Sequence, residues 1–218
     1  MNNSRRNFLK KASATALGTA AIASTAEAKS YDKEVTFQHG DGHHGIKYDY
    51  RMDVIASSKS DATKVGSYTE GDDYIGYDQG IPILNPAQDR LWMAGFISGN
   101  RKDRFKYNGS FLRYHTFQDT WVNIWDNDPD KRRRWQMEVR GDGRYTILFY
   151  GDREPWGLNT TEGNDDTDVV GGYGWIDGEV LDGGSDSYEV YGDIKEIRLS
   201  GVSNYMEIRF KGGDYNMG

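Results

Sequence analysis

The stretch Ile46-Lys47-Tyr48-Asp49-Tyr50-Arg51-Met52-Asp53-Val54 decides the fold. Large apolar side chains take every second position and charged ones the positions between. A period of two puts one set on each face of an extended strand, whereas a helix needs apolar residues three and four apart. The habit returns in Tyr145, Ile147 and Phe149, in Tyr188 and Val190, and in Ile197 and Leu199. Clusters of Gly, Asn, Asp and Ser interrupt these runs at short intervals, as hairpin turns require. No segment beyond residue 33 joins a long helical period to capping residues. The expectation is an all-β protein.

An internal correspondence sets the organisation. Trp92-Met93-Ala94-Gly95-Phe96-Ile97 aligns with Trp175-Ile176-Asp177-Gly178-Glu179-Val180 at an offset of 83 residues. The same offset pairs Asp103 with Asp186, Phe105 with Tyr188, Gly109 with Gly192 and Phe111 with Ile194. One residue of slip later, Trp121-Val122-Asn123-Ile124 meets Tyr205-Met206-Glu207-Ile208. Upstream, Gly40-Asp41-Gly42 meets Gly141-Asp142-Gly143, and Ile46 and Tyr48 meet Ile147 and Phe149, at an offset of 101. This order predicts tandem β repeats over 33–126 and 134–211, each near the size of a small jelly-roll-like β-sandwich. They fold as two sandwiches or pack as halves of one larger one. Trp92 and Trp175, matched in the alignment, are expected in the core. The change of offset puts extra length in the first copy around Gly76 to Asp89. That apolar, proline-marked insert (Ile81-Pro82-Ile83-Leu84-Asn85-Pro86) reads as a binding loop or as a flap over an open sheet edge.

The N-terminus reads as an address. Ser4-Arg5-Arg6-Asn7-Phe8-Leu9-Lys10 precedes a weakly apolar run, Ala12 to Ala23, and a small-x-small pattern at Ala26-Glu27-Ala28. This resembles the twin-arginine export signal, which implies a cleaved segment over 1–28 and a secreted or cell-surface protein exported already folded. Small residues dominate the run, so it is a poor membrane span, and no later stretch reaches the length a membrane helix needs. Behind such a signal, the glycine-, aspartate- and aromatic-punctuated repeats resemble secreted β-repeat proteins of haloarchaea, mostly of unassigned function. The excess of aspartate over glutamate suits a saline habitat. The resemblance implies fold and location, with related modules accompanying secreted polysaccharide-active enzymes, and carries over no catalytic residue.

Charge and composition then narrow the chemistry. The 218 residues carry 34 acidic and 27 basic side chains, a net charge of −7, which disfavours nucleic acid as a general partner. With no cysteine, disulfides, thiolate metal sites and cysteine nucleophiles are ruled out. No Gly-x-Ser-x-Gly elbow, phosphate loop or His-Glu-x-x-His occurs. His39, His43 and His44 flank Gly40-Asp41-Gly42 and read as turn histidines ahead of a zinc or copper site. Oxygen ligands favour calcium instead, with Asp72 and Asp73 in one copy and Asp165, Asp166 and Asp168 in the other as candidate ligands. Asp126-Asn127-Asp128-Pro129-Asp130 begins like a calcium loop, but Lys131 stands where its glycine belongs. Lys131-Arg132-Arg133-Arg134 reads as a linker of ion pairs. Asn108-Gly109-Ser110 and Asn159-Thr160-Thr161 are glycosylation sequons, with Asn108 and Asn159 as acceptors.

The six tryptophans supply the functional expectation. Trp125 and Trp156 lack aromatic counterparts in the alignment and sit beside turns, so they are expected on an exposed face. With Tyr77 and the 76–89 insert they form the candidate site for a polysaccharide or surface glycan, because an indole suits the apolar side of a sugar ring. The expected function is a secreted, non-catalytic, glycan-binding or cell-surface β protein. Alternatives are a small polysaccharide hydrolase using carboxylates and a filament-forming subunit.

Overall fold

The structure, a computed structural model, describes residues 30–39, 50–66, 73–81, 88–97, 102–160 and 165–213. In chain order its strands are β1 (Lys33–His39), β2 (Tyr50–Ile55), β3 (Ala62–Lys64), β4 (Tyr74–Ile81), β5 (Gln88–Gly95), β6 (Lys102–Tyr107), β7 (Ser110–Thr116), β8 (Thr120–Asp126), β9 (Arg134–Gly141), β10 (Gly143–Phe149), β11 (Trp156–Asn159), β12 (Asp166–Val170), β13 (Tyr173–Val180), β14 (Ser185–Tyr191), β15 (Ile194–Ser200) and β16 (Met206–Gly213). One 3-10 turn, Lys59–Asp61, precedes β3, and no α-helix occurs among the described residues. The all-β expectation holds.

The strands form two eight-stranded sheets. Sheet one runs β12-β13-β10-β15-β8-β1-β6-β3 and sheet two β11-β14-β9-β16-β7-β2-β5-β4. Read outward from the middle of each sheet, β1–β8 contribute β8-β1-β6-β3 to sheet one and β7-β2-β5-β4 to sheet two. The later strands contribute β16-β9-β14-β11 to sheet two and β15-β10-β13-β12 to sheet one. The order is the same, with the sheets exchanged. Registers follow suit: Tyr50 stands opposite Gly95 and Thr116, as Tyr145 stands opposite Gly178 and Leu199. A β-bulge falls between Asp53 and Val54 in the β2–β7 pairing and between Leu148 and Phe149 in the β10–β15 pairing. The described residues from Tyr31 onward make one compact unit.

The inward-facing residues of both sheets merge into a single core. Tyr50, Met52 and Val54 of β2, Val35 and Phe37 of β1, and Tyr145, Ile147 and Phe149 of β10 are all buried there. Phe37 of sheet one stacks on Tyr50 of sheet two with ring centroids 4.1 Å apart. Each such side chain contributes about 1.5–3 kcal/mol by leaving water. Trp135 of β9, 2% exposed, lies against Phe210 of β16 with centroids 4.6 Å apart and rings nearly parallel.

Trp92 and Trp175 correct the sequence reading. Alternation in β5 and β13 sends Leu91, Met93 and Ile176 inward and leaves both tryptophans half-buried on the outer faces. The Arg51 guanidinium caps Trp92 from 4.7 Å, and Trp92 extends over Gly76 of β4, where no side chain stands in its way.

Two polar clusters tie the sheets together inside this core. The Tyr50 hydroxyl of sheet two donates to Asp103 Oδ2 of sheet one at 3.0 Å, with Asp73 Oδ1 3.3 Å away. The Tyr145 hydroxyl of sheet one donates to Asp186 Oδ2 of sheet two at 2.8 Å. It stands 2.6 Å from the Tyr188 hydroxyl, which reaches Asp165 Oδ2 at 2.8 Å. That second chain has three contacts and two hydroxyl protons. Burial raises the Asp165 carboxyl, against the hydrogen bond from Tyr188 that lowers it. Burial likewise raises the Tyr50, Tyr145 and Tyr188 hydroxyls, so all three remain protonated donors.

On the outer face of sheet two, His115 of β7 sits opposite Arg51 of β2 and Glu207 of β16. Burial first, then the Arg113 charge, lowers it to about 4. In the unfolded chain it titrates near 6.5, so between roughly 6.5 and 4 the unfolded state binds a proton that the folded state refuses. Stability should therefore fall as pH drops through that window, by at most about 1.4 kcal/mol per pH unit from this residue. His115→Gln should flatten that slope in denaturant midpoints measured at pH 4–7; an unchanged slope would locate the acid sensitivity elsewhere.

Candidate functional site

β8 crosses the middle of sheet one between β1 and β15. Its Val122 and Ile124 face the core, so Trp121, Asn123 and Trp125 face outward. Trp121 is 39% exposed and Trp125 59%. Four residues apart on one strand face, the two indoles are offset by roughly 13 Å along the sheet. The surround is polar. Gln38 of β1 and Arg198 of β15 flank Trp121, Thr36 and Glu196 flank Asn123, and Glu34 stands opposite Trp125.

Charges on this face are mostly spent on one another. The Arg198 guanidinium lies 4.7 Å from the Trp121 ring centre and pairs with Glu196, while Arg104 pairs with Glu34 at 3.2 Å. The arginine fixes the orientation of Trp121 through a cation–π contact. Two indole planes among amide, hydroxyl and paired charged groups suit a ligand with apolar ring faces and hydroxyl rims.

The expected site residues do not gather in one place. Trp125 lies on sheet one. Trp156, 70% exposed, lies on β11 at one edge of sheet two, opposite Glu189. Hydrogen bonds from Arg134 and then Tyr191 hold the Glu189 carboxyl below its ordinary range. Tyr77 lies on β4 at the far edge of the same sheet, its hydroxyl between the Ser57 carbonyl at 2.8 Å and the Asp89 carboxylate. The hydrogen bond to Asp89 raises that hydroxyl. Trp121, which the alignment matches to Tyr205, joins Trp125 instead. The signal for it was present: Trp121 and Trp125 share a parity opposite to that of Val122 and Ile124.

The acidic loops also separate. Asp73 turns toward Tyr50, and Asp165 toward Tyr188. Asp166 and Asp168 stand exposed on β12, where Asp168 Oδ1 accepts the Val169 amide at 2.7 Å. Among the described residues no three or more His, Asp or Glu side chains converge on a point where a metal would sit. Asp126 and Asp130 serve turns, accepting the Asp128 amide and the Arg132 and Arg133 amides respectively. Arg133 pairs with Asp130 at 3.4 Å and Arg134 with Glu189, as expected of a solvated linker. Asn108 Oδ1 accepts the Asp32 amide at 2.8 Å, and Asn159 is exposed at the end of β11. Asp72, residues 82–87 of the insert, the Gly40–Asp41–Gly42 turn, Ile46, Tyr48, His43, His44 and the His39 side chain lie outside the described residues.

With this geometry in hand, comparison with known proteins gives no relative: no protein-family model, curated protein or solved structure matches the chain.

Proposed function

We propose that the chain is a secreted, non-catalytic β protein that binds polysaccharide or surface glycan on the outer face of sheet one. The observation that carries this reading is the exposed pair Trp121 and Trp125 on one strand of a rigid sheet. Export rests on the Arg5-Arg6 motif and its following segment, read as a twin-arginine signal over 1–28.

The exchanged strand order, together with its repeated bulge and registers, supports duplication of one eight-stranded unit, packed as halves of a larger sandwich. Val35 faces Ile124 across β1 and β8, and Met137 faces Phe210 across β9 and β16. In that correspondence Trp121 and Trp125 take the places of Glu207 and Lys211. The scaffold recurs and the indoles do not. A feature confined to one half of a duplicated frame serves something other than the frame.

The test is affinity electrophoresis through a panel of neutral and anionic polysaccharides. Trp121→Ala and Trp125→Ala should each weaken retention by about 1–2 kcal/mol, roughly 5- to 30-fold in Kd, with little change in melting temperature. Trp156→Ala, on the other sheet, should retain wild-type binding. Retention that survives the Trp121/Trp125 double variant sinks the reading, and reducing ends accumulating in the gel buffer would replace it with a hydrolase.

A further inference from the structure

Lys33 opens β1 and stands opposite Asp126, the last residue of β8. Its Nζ lies 2.7 Å from Asp126 Oδ2 and 3.1 Å from Asp193 Oδ2. The three side chains are nearly covered, at 14%, 2% and 12% exposure for Lys33, Asp126 and Asp193. Both aspartates are held from behind. Asp126 Oδ1 accepts the Asp128 amide at 3.0 Å. The Asp193 amide donates to the Asp130 carbonyl at 3.0 Å, and its carbonyl accepts the Tyr150 amide at 2.9 Å. The buried Tyr107 and the half-buried Tyr150 border the group; burial, then the Asp193 and Asp126 charges, raises the Tyr107 hydroxyl.

Asp126 Oδ2 is enclosed, yet the amine 2.7 Å away lies off hydrogen-bond direction, and no hydrogen bond reaches that oxygen. A buried triad of one ammonium and two carboxylates carries a heavy desolvation cost that its attraction repays only with good hydrogen-bond geometry. At 2.7 Å from a carboxyl oxygen, the amine is in contact with the group it would acylate, and proximity of this kind removes much of the barrier to reaction. Lys33 Nζ donates to Asp193 Oδ2 at 3.1 Å, so one carboxylate holds the amine by a hydrogen bond while the facing oxygen of the other goes without one.

We propose that Lys33 and Asp126 condense into an intramolecular isopeptide bond, with Asp193 as the proton carrier. The Lys33 ammonium passes a proton to the Asp126 carboxylate, giving a neutral amine and a carboxylic acid. Nζ attacks Asp126 Cγ and the C–N bond forms. Asp193 takes a proton from the attacking nitrogen and delivers it to the departing hydroxyl, the Cγ–O bond breaks, and one water leaves. No oxidant, reductant or cofactor enters the balance. In a chain without cysteine, this amide covalently fastens the start of the first strand to the end of the eighth.

The decisive measurement is the intact mass of the purified, folded protein against the mass set by its own N-terminus. A deficit of about 18 Da, one water, is expected, with a branched tryptic peptide joining Lys33 to Asp126. Lys33→Arg keeps the positive charge and should carry no deficit. Asp193→Asn should cross-link about a hundredfold more slowly after refolding, the scale of a lost acid–base group. A wild-type chain at full mass overturns the proposal, and so does a deficit that survives Lys33→Arg. An Asp193→Asn chain that cross-links at the wild-type rate overturns the role of Asp193.

Discussion

Trp135→Ala is expected to lower the stability of the folded chain by about 3–5 kcal/mol, read from the denaturant midpoint at constant slope. The ring is 2% exposed, and its loss would open a cavity against Phe210, whose own ring is stacked on it at 4.6 Å. Phe210 in turn meets Phe111 edge-on at 5.4 Å, so the void touches a three-ring cluster drawn from β7, β9 and β16. Those strands neighbour one another in the middle of sheet two, where collapse is resisted from both sides. Trp92→Ala makes the contrast. That ring lies on the outer face beneath Arg51, so its removal exposes a patch of sheet to water without leaving a void, and the cost should be well under half as large. Equal losses at the two positions would mean that the outer tryptophan is as structural as the inner one.

The contrast shows what the sequence made legible. Alternation gave strand and face directly: Tyr50, Met52 and Val54 are buried as their parity demands, and so are Tyr145, Ile147 and Phe149. Upstream of Trp92, the aligned residues are not the ones that hold equivalent places in the two sheets. The alignment set Ile46 and Tyr48 against Ile147 and Phe149, whereas in the sheets Tyr50, Met52 and Val54 hold the places of Tyr145, Ile147 and Phe149. Slipping by an even number of residues preserves every inward and outward assignment, so a period of two cannot expose the error. The tryptophan misreading has the same root: matching rings in two halves shows only that both halves need a ring there, and both need it outside.

Buried acids were the least legible feature. Asp73 and the half-buried Asp165 read as calcium ligands, and Asp103 and Asp186 only as a matched pair, because their partners are not neighbours in sequence. Tyr50 and Asp103 meet only when β2 of one sheet faces β6 of the other. Asp165, offered as a calcium ligand, is a hydrogen-bond partner of Tyr188. Hydroxyls that arrive from another strand answer a carboxylate as a cation would, and composition does not distinguish the two.

Those clusters rest on two glycines, and Gly95→Ala and Gly178→Ala are expected to cost about 1–3 kcal/mol each. Gly95 lies opposite Tyr50 in the β2–β5 ladder and Gly178 opposite Tyr145 in the β10–β13 ladder. A methyl group on Gly95 would stand 2.7 Å from the Tyr50 hydroxyl, and one on Gly178 would stand 2.5 Å from the Tyr145 hydroxyl. Neither distance admits a carbon, and the tyrosines have little room to retreat because each is bonded to a carboxylate of the opposing sheet. Neither glycine has a positive φ, so backbone strain contributes nothing and the loss measures the collision alone. The two clusters share no residue and involve different strands, so the losses in the double variant should add to within about 0.5 kcal/mol. Gly171→Ala is the control of opposite kind: open space surrounds it, but its φ is 62°, so any cost there is conformational. Should Gly95→Ala and Gly178→Ala unfold at the wild-type midpoint, the tyrosine–carboxylate ties are loose, and the sheets are held by their apolar contacts alone.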